Sequence, residues 1–229
     1  MAFEFLSENL KNLQKSIIDS CKKCSRNPDS VNLLPVTKRQ PIGKLEELYR
    51  LGERSFAENR VQEMLEKAEI LPNDIIWHLI GPLQSNKVRQ ALKYATFIHS
   101  VDSLKLLNRI ERIAGEDGKK VKVFLQVNIT GEEQKSGFSE GSLKDALSAA
   151  KNLQNVTIIG LMTMGTVNHS QVETTAVFRR LRELLDTIQT EYPELTELSM
   201  GMSGDYELAI PEGTTYIRVG SSLLGNREY

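Results

Sequence analysis

The sequence predicts an α/β fold, a (β/α)8 TIM barrel with an extra helix before the first strand. Three observations favour it. Short β-type runs alternate eight times with helix-type runs, the segments between them are long enough for crossover helices, and 229 residues suit one barrel. We therefore expect a single domain over residues 1–229, with residues 1–26 forming a helix that packs on the barrel.

The eight predicted strands are short and mostly apolar. The second has a poor strand composition and is assigned from its position between two helices. A doubly wound sheet is the alternative fold, but it would usually place a glycine-rich loop after the first strand, where residues 37–41 contain no glycine. The predicted strands are Leu33–Thr37, Ser55–Ala57, Ile75–Ile80, Phe97–Ser100, Val121–Val127, Thr157–Met162, Glu197–Met200 and Tyr216–Val219.

The cysteines and histidines do not predict a metal site. Cys21 and Cys24 have the CxxC spacing of redox and zinc sites, but both fall on the apolar stripe of the first helix, so we interpret them as core-facing residues. His78, His99 and His169 form neither an HxH nor an HExxH pair.

The charge pattern identifies no macromolecular partner. Lys and Arg total 29 against 30 Asp and Glu, and the basic residues are scattered, so the basic stripe of a nucleic-acid-binding protein is missing. No stretch approaches the ~20 apolar residues of a membrane span. We expect a cytoplasmic monomer that binds neither nucleic acid nor membrane.

The candidate functional residues follow predicted strands. Lys38 ends the first strand on the same alternating face as Leu34 and Val36, and the turns 201–204 and 220–222 follow strands seven and eight, where barrels often bind phosphate. Glycine lets the backbone approach a phosphate and serine adds a donor. An amine facing a phosphate clamp predicts pyridoxal 5′-phosphate, which carries both a phosphate and an aldehyde. Considered alone, each of these segments could be an ordinary tight turn at the end of a strand, and Lys38 could be an ordinary surface lysine.

Further polar side chains are candidates for the same site. Arg218 alternates with apolar neighbours, so it points either into the barrel or toward the helices. Inside the barrel it needs an acceptor, and the pyridine nitrogen of a bound ring would serve, kept unprotonated by the fixed cation. Asn59 and Ser85 either cap helices or reach the phenolate oxygen of the ring. Asn128 belongs to another polar cluster on this rim, which a turn explains nearly as well.

Seven segments together resemble the pyridoxal phosphate homeostasis proteins, single-domain relatives of the alanine racemase barrel. The resemblance spans nearly the whole chain. The segments are Val36-Thr37-Lys38, Glu58-Asn59-Arg60-Val61-Gln62-Glu63, Trp77-His78-Leu79-Ile80-Gly81-Pro82-Leu83-Gln84-Ser85-Asn86-Lys87, Lys135-Ser136-Gly137, Gly160-Leu161-Met162, Ser199-Met200-Gly201-Met202-Ser203 with Asp205, and Arg218-Val219-Gly220.

The resemblance implies a function for the chain and a role for seven of its residues. The family is regarded as a binder and regulator of the vitamin B6 pool that influences amino- and keto-acid balance, without established catalysis. The implied roles are a Schiff base to Lys38, phosphate contacts from Ser203, Gly220 and Ser221, a pyridine-nitrogen contact from Arg218, and positions near the ring for Asn59 and Met200.

Two functions use this site differently. A carrier would take up pyridoxal 5′-phosphate through Lys38 and release it to apoenzymes or salvage enzymes, whereas an amino-acid racemase or decarboxylase would use the same Schiff base for catalysis. A two-base racemase of the related fold needs a tyrosine from an extra C-terminal domain, and Tyr229 ends this sequence just after the eighth strand. A sugar-phosphate aldolase would need an acid or base beside Lys38, and none is evident. We therefore expect a non-catalytic binder.

Overall fold

Eight parallel strands alternate with helices in the computed structural model, which describes residues 3–132, 136–165 and 170–225. The strands are β1 (Asn32–Pro35), β2 (Ser55–Glu58), β3 (Ile76–Leu79), β4 (Ala95–Val101), β5 (Val121–Gln126), β6 (Val156–Met162), β7 (Glu197–Met202) and β8 (Tyr216–Val219). All eight predicted strands are present, and the assignment of β2 is confirmed.

The helices of the described chain cover the outside of the sheet. They are α1 (Phe5–Lys23), α2 (Ile42–Arg50), α3 (Val61–Ala68), α4 (Val88–Ala91), α5 (Leu104–Glu116), α6 (Glu140–Ala150), α7 (Gln171–Gln189), α8 (Tyr206–Ala209) and α9 (Ser221–Leu224), with 3-10 turns at Pro28–Ser30 and Ser85–Lys87. Serine caps begin three of the longer helices, because Ser103, Ser139 and Ser170 each accept an N–H of the first turn.

The sheet curls into a nearly closed barrel. Its strands follow the order β1-β8-β7-β6-β5-β4-β3-β2, and every neighbouring pair is parallel. A bridge between Val36 and Ala57 joins the two end strands, and the Thr37 N–H donates to the Ala57 carbonyl at 2.9 Å. This β1–β2 junction is called the closing seam below. The (β/α)8 prediction is confirmed, and the doubly wound alternative is excluded.

Strand alternation divides the core into an inner and an outer part. Leu34, Val36 and Ala57 cluster inside the barrel, while most outward residues join a large cluster between sheet and helices. Gly160 lets β6 and β7 approach each other, because a Cβ there would lie 1.8 Å from the Glu197 carbonyl oxygen. Because all eight strands are parallel, their carboxyl ends lie at one rim of the barrel.

The N-terminal helix α1 buries one apolar face that includes Cys21. The Asn9 amide donates to the Leu223 carbonyl at 2.9 Å, which ties α1 to α9. Cys24 follows the helix and is half-buried, and both thiols are free. Within the described ranges no three His, Cys, Asp or Glu residues are grouped as metal ligands, and no helix is long and apolar enough to cross a membrane.

Two neutral histidines occupy the middle of the barrel. His78 Nδ1 and His99 Nε2 lie 2.9 Å apart, and the rings stack on Phe97 and Phe124 with centroids 4.2 Å apart in each pair. Burial lowers the pKa of His78 to about 3. Burial, followed by His78 and Arg218, also lowers the pKa of His99 well below its usual value. Neither ring carries a charge at neutral pH.

These pKa shifts predict an acid-sensitive fold. Below the unfolded pKa near 6.5, the unfolded chain binds a proton at His78 that the folded chain does not bind, so stability falls as the pH falls. We expect His78 alone to make the free energy of unfolding about 1.4 kcal/mol lower at about pH 5.5 than at about pH 7.5, with His99 adding in the same direction.

Urea unfolding at the two pH values measures the difference. In His78→Gln, which has no titrating ring, the difference between the two pH values should shrink by about that amount. An equal pH difference in wild type and variant would contradict the prediction.

Candidate functional site

One cavity at the carboxyl ends of the strands brings together most of the residues that the sequence predicts. It has a volume of about 260 Å³. Six of the seven candidate site residues line it, namely Lys38, Asn59, Ser203, Arg218, Gly220 and Ser221. The other lining residues are Val36, Gln40, Ile80, Met164, Met202, Gly204 and Gly225.

Lys38 and Asn59 enter the cavity from the two strands of the closing seam. Each follows its strand on the inward face, Lys38 in line with Leu34 and Val36 as predicted. Asn59 does not cap α3, whose N-cap position is Arg60. Gly81 makes room for Asn59, because a Cβ at position 81 would lie 2.1 Å from the Asn59 carbonyl oxygen. Of the two roles open to Asn59, the structure therefore favours the cavity.

The two serine-glycine turns are bonded to each other. The Gly220 N–H donates to Ser203 Oγ at 3.0 Å, and the Ser222 hydroxyl donates to the Ser203 carbonyl at 3.3 Å. Gly201 has a φ of +90°, in the left-handed region that favours glycine. These hydrogen bonds fix the shape of the wall that the two turns form before an anion binds to it.

A buried lysine supports this wall from behind. Lys44 Nζ donates to Gln40 Oε1 and to the Leu224 carbonyl, both at 2.8 Å. Gln40 lines the cavity, and Leu224 ends α9, the short helix that begins at Ser221. The contact therefore joins the segment after β1 to the segment after β8.

Arg218 points into the barrel and is almost completely buried. Its Nη1 donates to Ser199 Oγ at 2.7 Å and its Nη2 donates to the Thr163 carbonyl at 3.0 Å. Burial lowers the pKa of Arg218 to about 10, an effect that Asp205 partly offsets. The guanidinium therefore keeps its charge at neutral pH while bonded to neutral acceptors.

A hydrogen-bonded chain continues from Arg218 through the barrel. Ser199 Oγ lies 2.8 Å from His99 Nδ1, and His99 contacts His78 as described above. Because the guanidinium can only donate, the Ser199 hydroxyl is free to donate to His99 Nδ1, which leaves the His99 Nε2–H for His78. His78 lines a second cavity, of about 680 Å³, beside the amino ends of β1 and β3.

The polar side chains that line the 260 Å³ cavity at the carboxyl ends of the strands include two cations. Lys38 and Arg218 carry its charge, and the remaining polar side chains of the described lining are two amides and two serine hydroxyls. A cavity with two cations and a serine-glycine wall fits a small phosphorylated anion.

Met200 is the predicted site residue that the cavity lacks. Its side chain is fully buried in the outer cluster between sheet and helices. Ser199 faces inward, so its neighbour Met200 faces outward. The β7–β8 register shifts between Ser199 and Met202, and Met202 lines the cavity instead. Met200 near a bound ring therefore stays a prediction that the cavity lining does not support, and Met202 is the methionine of β7 that lines the cavity.

A larger cavity of about 520 Å³ adjoins the first and shares Asn59, Ile80, Met164 and Met202 with it. Asn128, from the other polar cluster of the rim, lines this 520 Å³ cavity. Ser85 lines neither the 260 Å³ cavity nor the 520 Å³ cavity, and it begins a 3-10 turn. Lys135, His169 and Tyr229 lie outside the described residues.

Several residues around Arg218 are not among the candidates that the sequence analysis identifies. Ser199, Thr163 and His99 contact or support Arg218 although they lie on three other strands or strand ends. Their inward positions could be found from strand alternation alone. Which of them meet depends on the register between strands, which one sequence does not contain.

Comparison with known proteins first defines the class. Residues 9–228 match the family model described as alanine racemase, N-terminal domain. Alanine racemase from Clostridium difficile 630 superposes with a TM-score of 0.73 at 16% identity, covering 99% of this chain and 58% of that one. At this identity the likeness shows the fold alone.

Closer relatives define the family within that class. A pyridoxal phosphate homeostasis protein of Synechocystis is 45% identical over 203 residues, covering 87% of this chain and 93% of the relative. PipY of Synechococcus elongatus PCC7942, solved with PLP bound, has a TM-score of 0.85 at 41% identity and covers 96% of this chain and 100% of that chain. This chain belongs to the pyridoxal phosphate homeostasis protein family.

The support of Arg218 predicts the effect of removing one hydroxyl. We expect Ser199→Ala to lower the free energy of unfolding by about 1–3 kcal/mol, because it leaves an Arg218 N–H and His99 Nδ1 buried without that partner. Urea unfolding measures the loss. Ser148→Ala, at an exposed position of α6, is the matched control and should stay within about 0.5 kcal/mol of wild type. Equal stability of the two variants would contradict this role of Ser199.

Proposed function

We propose that this protein binds pyridoxal 5′-phosphate and takes part in intracellular vitamin B6 homeostasis and amino- and keto-acid balance. The observation that carries the proposal is the cavity itself, where the Lys38 amine and the Arg218 guanidinium face a serine-glycine wall. An aldehyde needs the amine and a phosphate needs the wall. The names of the homeostasis-protein relatives and the PLP-bound PipY structure support the same cofactor.

The residues of the cavity divide the work of binding. We assign the Schiff base to Lys38 and the phosphate contacts to Ser203, Gly220 and Ser221. Arg218 meets the pyridine nitrogen, and Asn59 lies beside the ring. When bound, the cofactor supplies an electrophilic carbon and a ring that can accept electrons. The Arg218 cation disfavours a proton on the ring nitrogen, so the ring accepts electrons weakly.

The same features support a carrier rather than an enzyme. The polar side chains of the described lining are one lysine, one arginine, two amides and two hydroxyls. Of these, only Lys38 carries an amine that could transfer a proton in catalysis, and the Schiff base occupies it. We propose that the protein holds the cofactor in the cytoplasm, as a monomer, and releases it to apoenzymes or salvage enzymes.

An amino-acid racemase or decarboxylase is the second candidate. The match to alanine racemase barrels and the 520 Å³ space beside the cofactor cavity favour it, since an amino acid would need room next to the ring. Fold alone does not decide between the two functions, because one fold supports many activities.

Covalent trapping tests the binder. The purified protein reconstituted with pyridoxal 5′-phosphate should be yellow, and borohydride should fix the cofactor to the peptide that contains Lys38, as measured by mass spectrometry. Lys38→Arg keeps the positive charge but supplies no amine that forms a stable Schiff base. The Lys38→Arg variant should lose the yellow absorption band and the borohydride-fixed adduct but should still bind the phosphate group of the cofactor. A wild-type protein that stays colourless would overturn the proposal.

Proton exchange separates carrier from enzyme. With a panel of L-amino acids in deuterated water, the wild type should show no steady exchange of the α-proton by NMR. Arg218→Glu replaces the cation with a carboxylate that favours a protonated ring nitrogen, so exchange should become measurable and the absorption band should shift. Steady turnover by the wild type would favour the enzyme. An unchanged spectrum in Arg218→Glu would contradict the contact with the ring nitrogen.

A further inference from the structure

A buried polar network lies behind the closing seam, on the opposite side of the strands from the cavity. Lys38 and Asn59 face the cavity, so the residues before them, Thr37 and Glu58, face α3. Lys67 of α3 reaches both, and Thr37 and Glu58 are fully buried. The network is thus built from the residues that immediately precede two candidate cofactor contacts.

The Lys67 ammonium is the centre of this network. Its Nζ lies 2.7 Å from each of three acceptors, which are the Thr37 carbonyl, Glu58 Oε1 and Glu63 Oε1. An ammonium has three N–H donors, so all of them are used. The Thr37 hydroxyl adds a fourth contact by donating to Glu58 Oε1 at 2.6 Å. The carbonyl that Lys67 binds belongs to the peptide unit that leads into Lys38.

The residue after Lys38 is held by the same network. Arg39 has a φ of +56°, a conformation that non-glycine residues adopt uncommonly. Its backbone N–H donates to Glu63 Oε1, the oxygen that also accepts from Lys67. The backbone on both sides of Lys38 is therefore bonded, through one carboxylate and one ammonium, to α3.

Closing the seam does not require such a network. Burying charges costs free energy, and well-packed apolar side chains often serve stability equally well. Burial raises the pKa of the Glu58 carboxyl, Lys67 and Thr37 work against that shift, and Glu58 Oε2 is buried without a hydrogen-bond partner. The contacts instead converge on the backbone at residues 37 and 39, on either side of Lys38.

We propose that Lys67, together with Glu58 and Glu63, is a positioning residue for Lys38 that sets the direction from which its amine approaches a bound aldehyde. The inference rests on the proposed function, because it concerns the lysine assigned to the Schiff base. It goes beyond that function by separating two properties of the site, the shape of the non-covalent cavity and the placement of the amine.

Two probes measure these properties separately. Pyridoxal 5′-phosphate reports both, through its dissociation constant and the rate of borohydride-fixable attachment to Lys38. Pyridoxine 5′-phosphate has the same ring and phosphate but no aldehyde, so its dissociation constant reports the non-covalent cavity alone. Misplacement of the amine weakens the binding and slows the attachment of pyridoxal 5′-phosphate only. A deformed cavity weakens the binding of both compounds.

Glu63 offers the mildest change, since its side chain is 20% exposed. In Glu63→Ala we expect attachment of pyridoxal 5′-phosphate to slow by roughly tenfold or more, because small misplacements of a reacting group carry large costs. Binding of pyridoxine 5′-phosphate should stay within about twofold of wild type. Glu63→Gln keeps an oxygen acceptor and should restore most of the rate. Glu66→Ala removes an exposed carboxylate from the same helix and is the matched control, expected to behave as wild type.

A second variant tests the centre of the network without leaving a charge buried. Lys67→Met alone would strand the Glu58 carboxylate and endanger folding, so it is combined with Glu58→Gln. The double variant should fold, bind pyridoxine 5′-phosphate within about threefold of wild type and attach pyridoxal 5′-phosphate roughly ten- to a hundredfold more slowly.

The outcomes separate this inference from the function on which it rests. Selective loss of attachment in both variants supports the positioning role. Equal weakening of the two probes, or no change in either, would overturn it while leaving the binder intact. Failure of the wild type to form a borohydride-fixable adduct at Lys38 would overturn the proposed function itself.

Discussion

The buried guanidinium of Arg218 constrains the interior of this barrel. A cation taken out of water needs hydrogen-bond acceptors, and the structure provides neutral ones, Ser199 Oγ and the Thr163 carbonyl. A carboxylate in that position would cancel the charge. With neutral acceptors, the charge remains available to the cavity, and it helps to keep His99 unprotonated. Asp205 offsets the cost of the buried charge only in part. An anionic ligand would supply further counter-charge, which links the packing of the barrel centre to the chemistry of its rim.

Strand alternation explains how one short seam supports two polar systems. Along β1 and β2, inward residues end in Lys38 and Asn59, while outward residues end in Thr37 and Glu58. The cavity and the Lys67 network are therefore back to back, separated by the thickness of the sheet. A rigid element behind a reactive side chain reduces the freedom that must be lost when the side chain reacts.

The sequence was sufficient for features that depend on local pattern and failed where pairing between strands matters. Eight strands, the inward face of Lys38 and the turns after β7 and β8 follow from periodicity and strand count. Met200 does not line the cavity that the other predicted site residues share, because β7 shifts register near Gly201 and Met202 lines the cavity instead. The contact between His99 and Ser199 joins residues 100 positions apart in the chain, so a local sequence pattern does not predict it.

Charge placement also bears on whether such a site stores a cofactor or uses it. Electron withdrawal by a pyridine ring is strongest when its nitrogen is protonated, and a permanent cation beside that nitrogen opposes protonation. The hydrogen-bonded chain behind Arg218, made of Ser199 and two neutral histidines, supplies no negative charge that would offset the guanidinium. In the proposed binding mode, a ring held by Lys38 at one end and by Arg218 at the other would be bound firmly and activated little. The barrel of the alanine racemase class is compatible with either behaviour, so the difference lies in these side chains rather than in the fold.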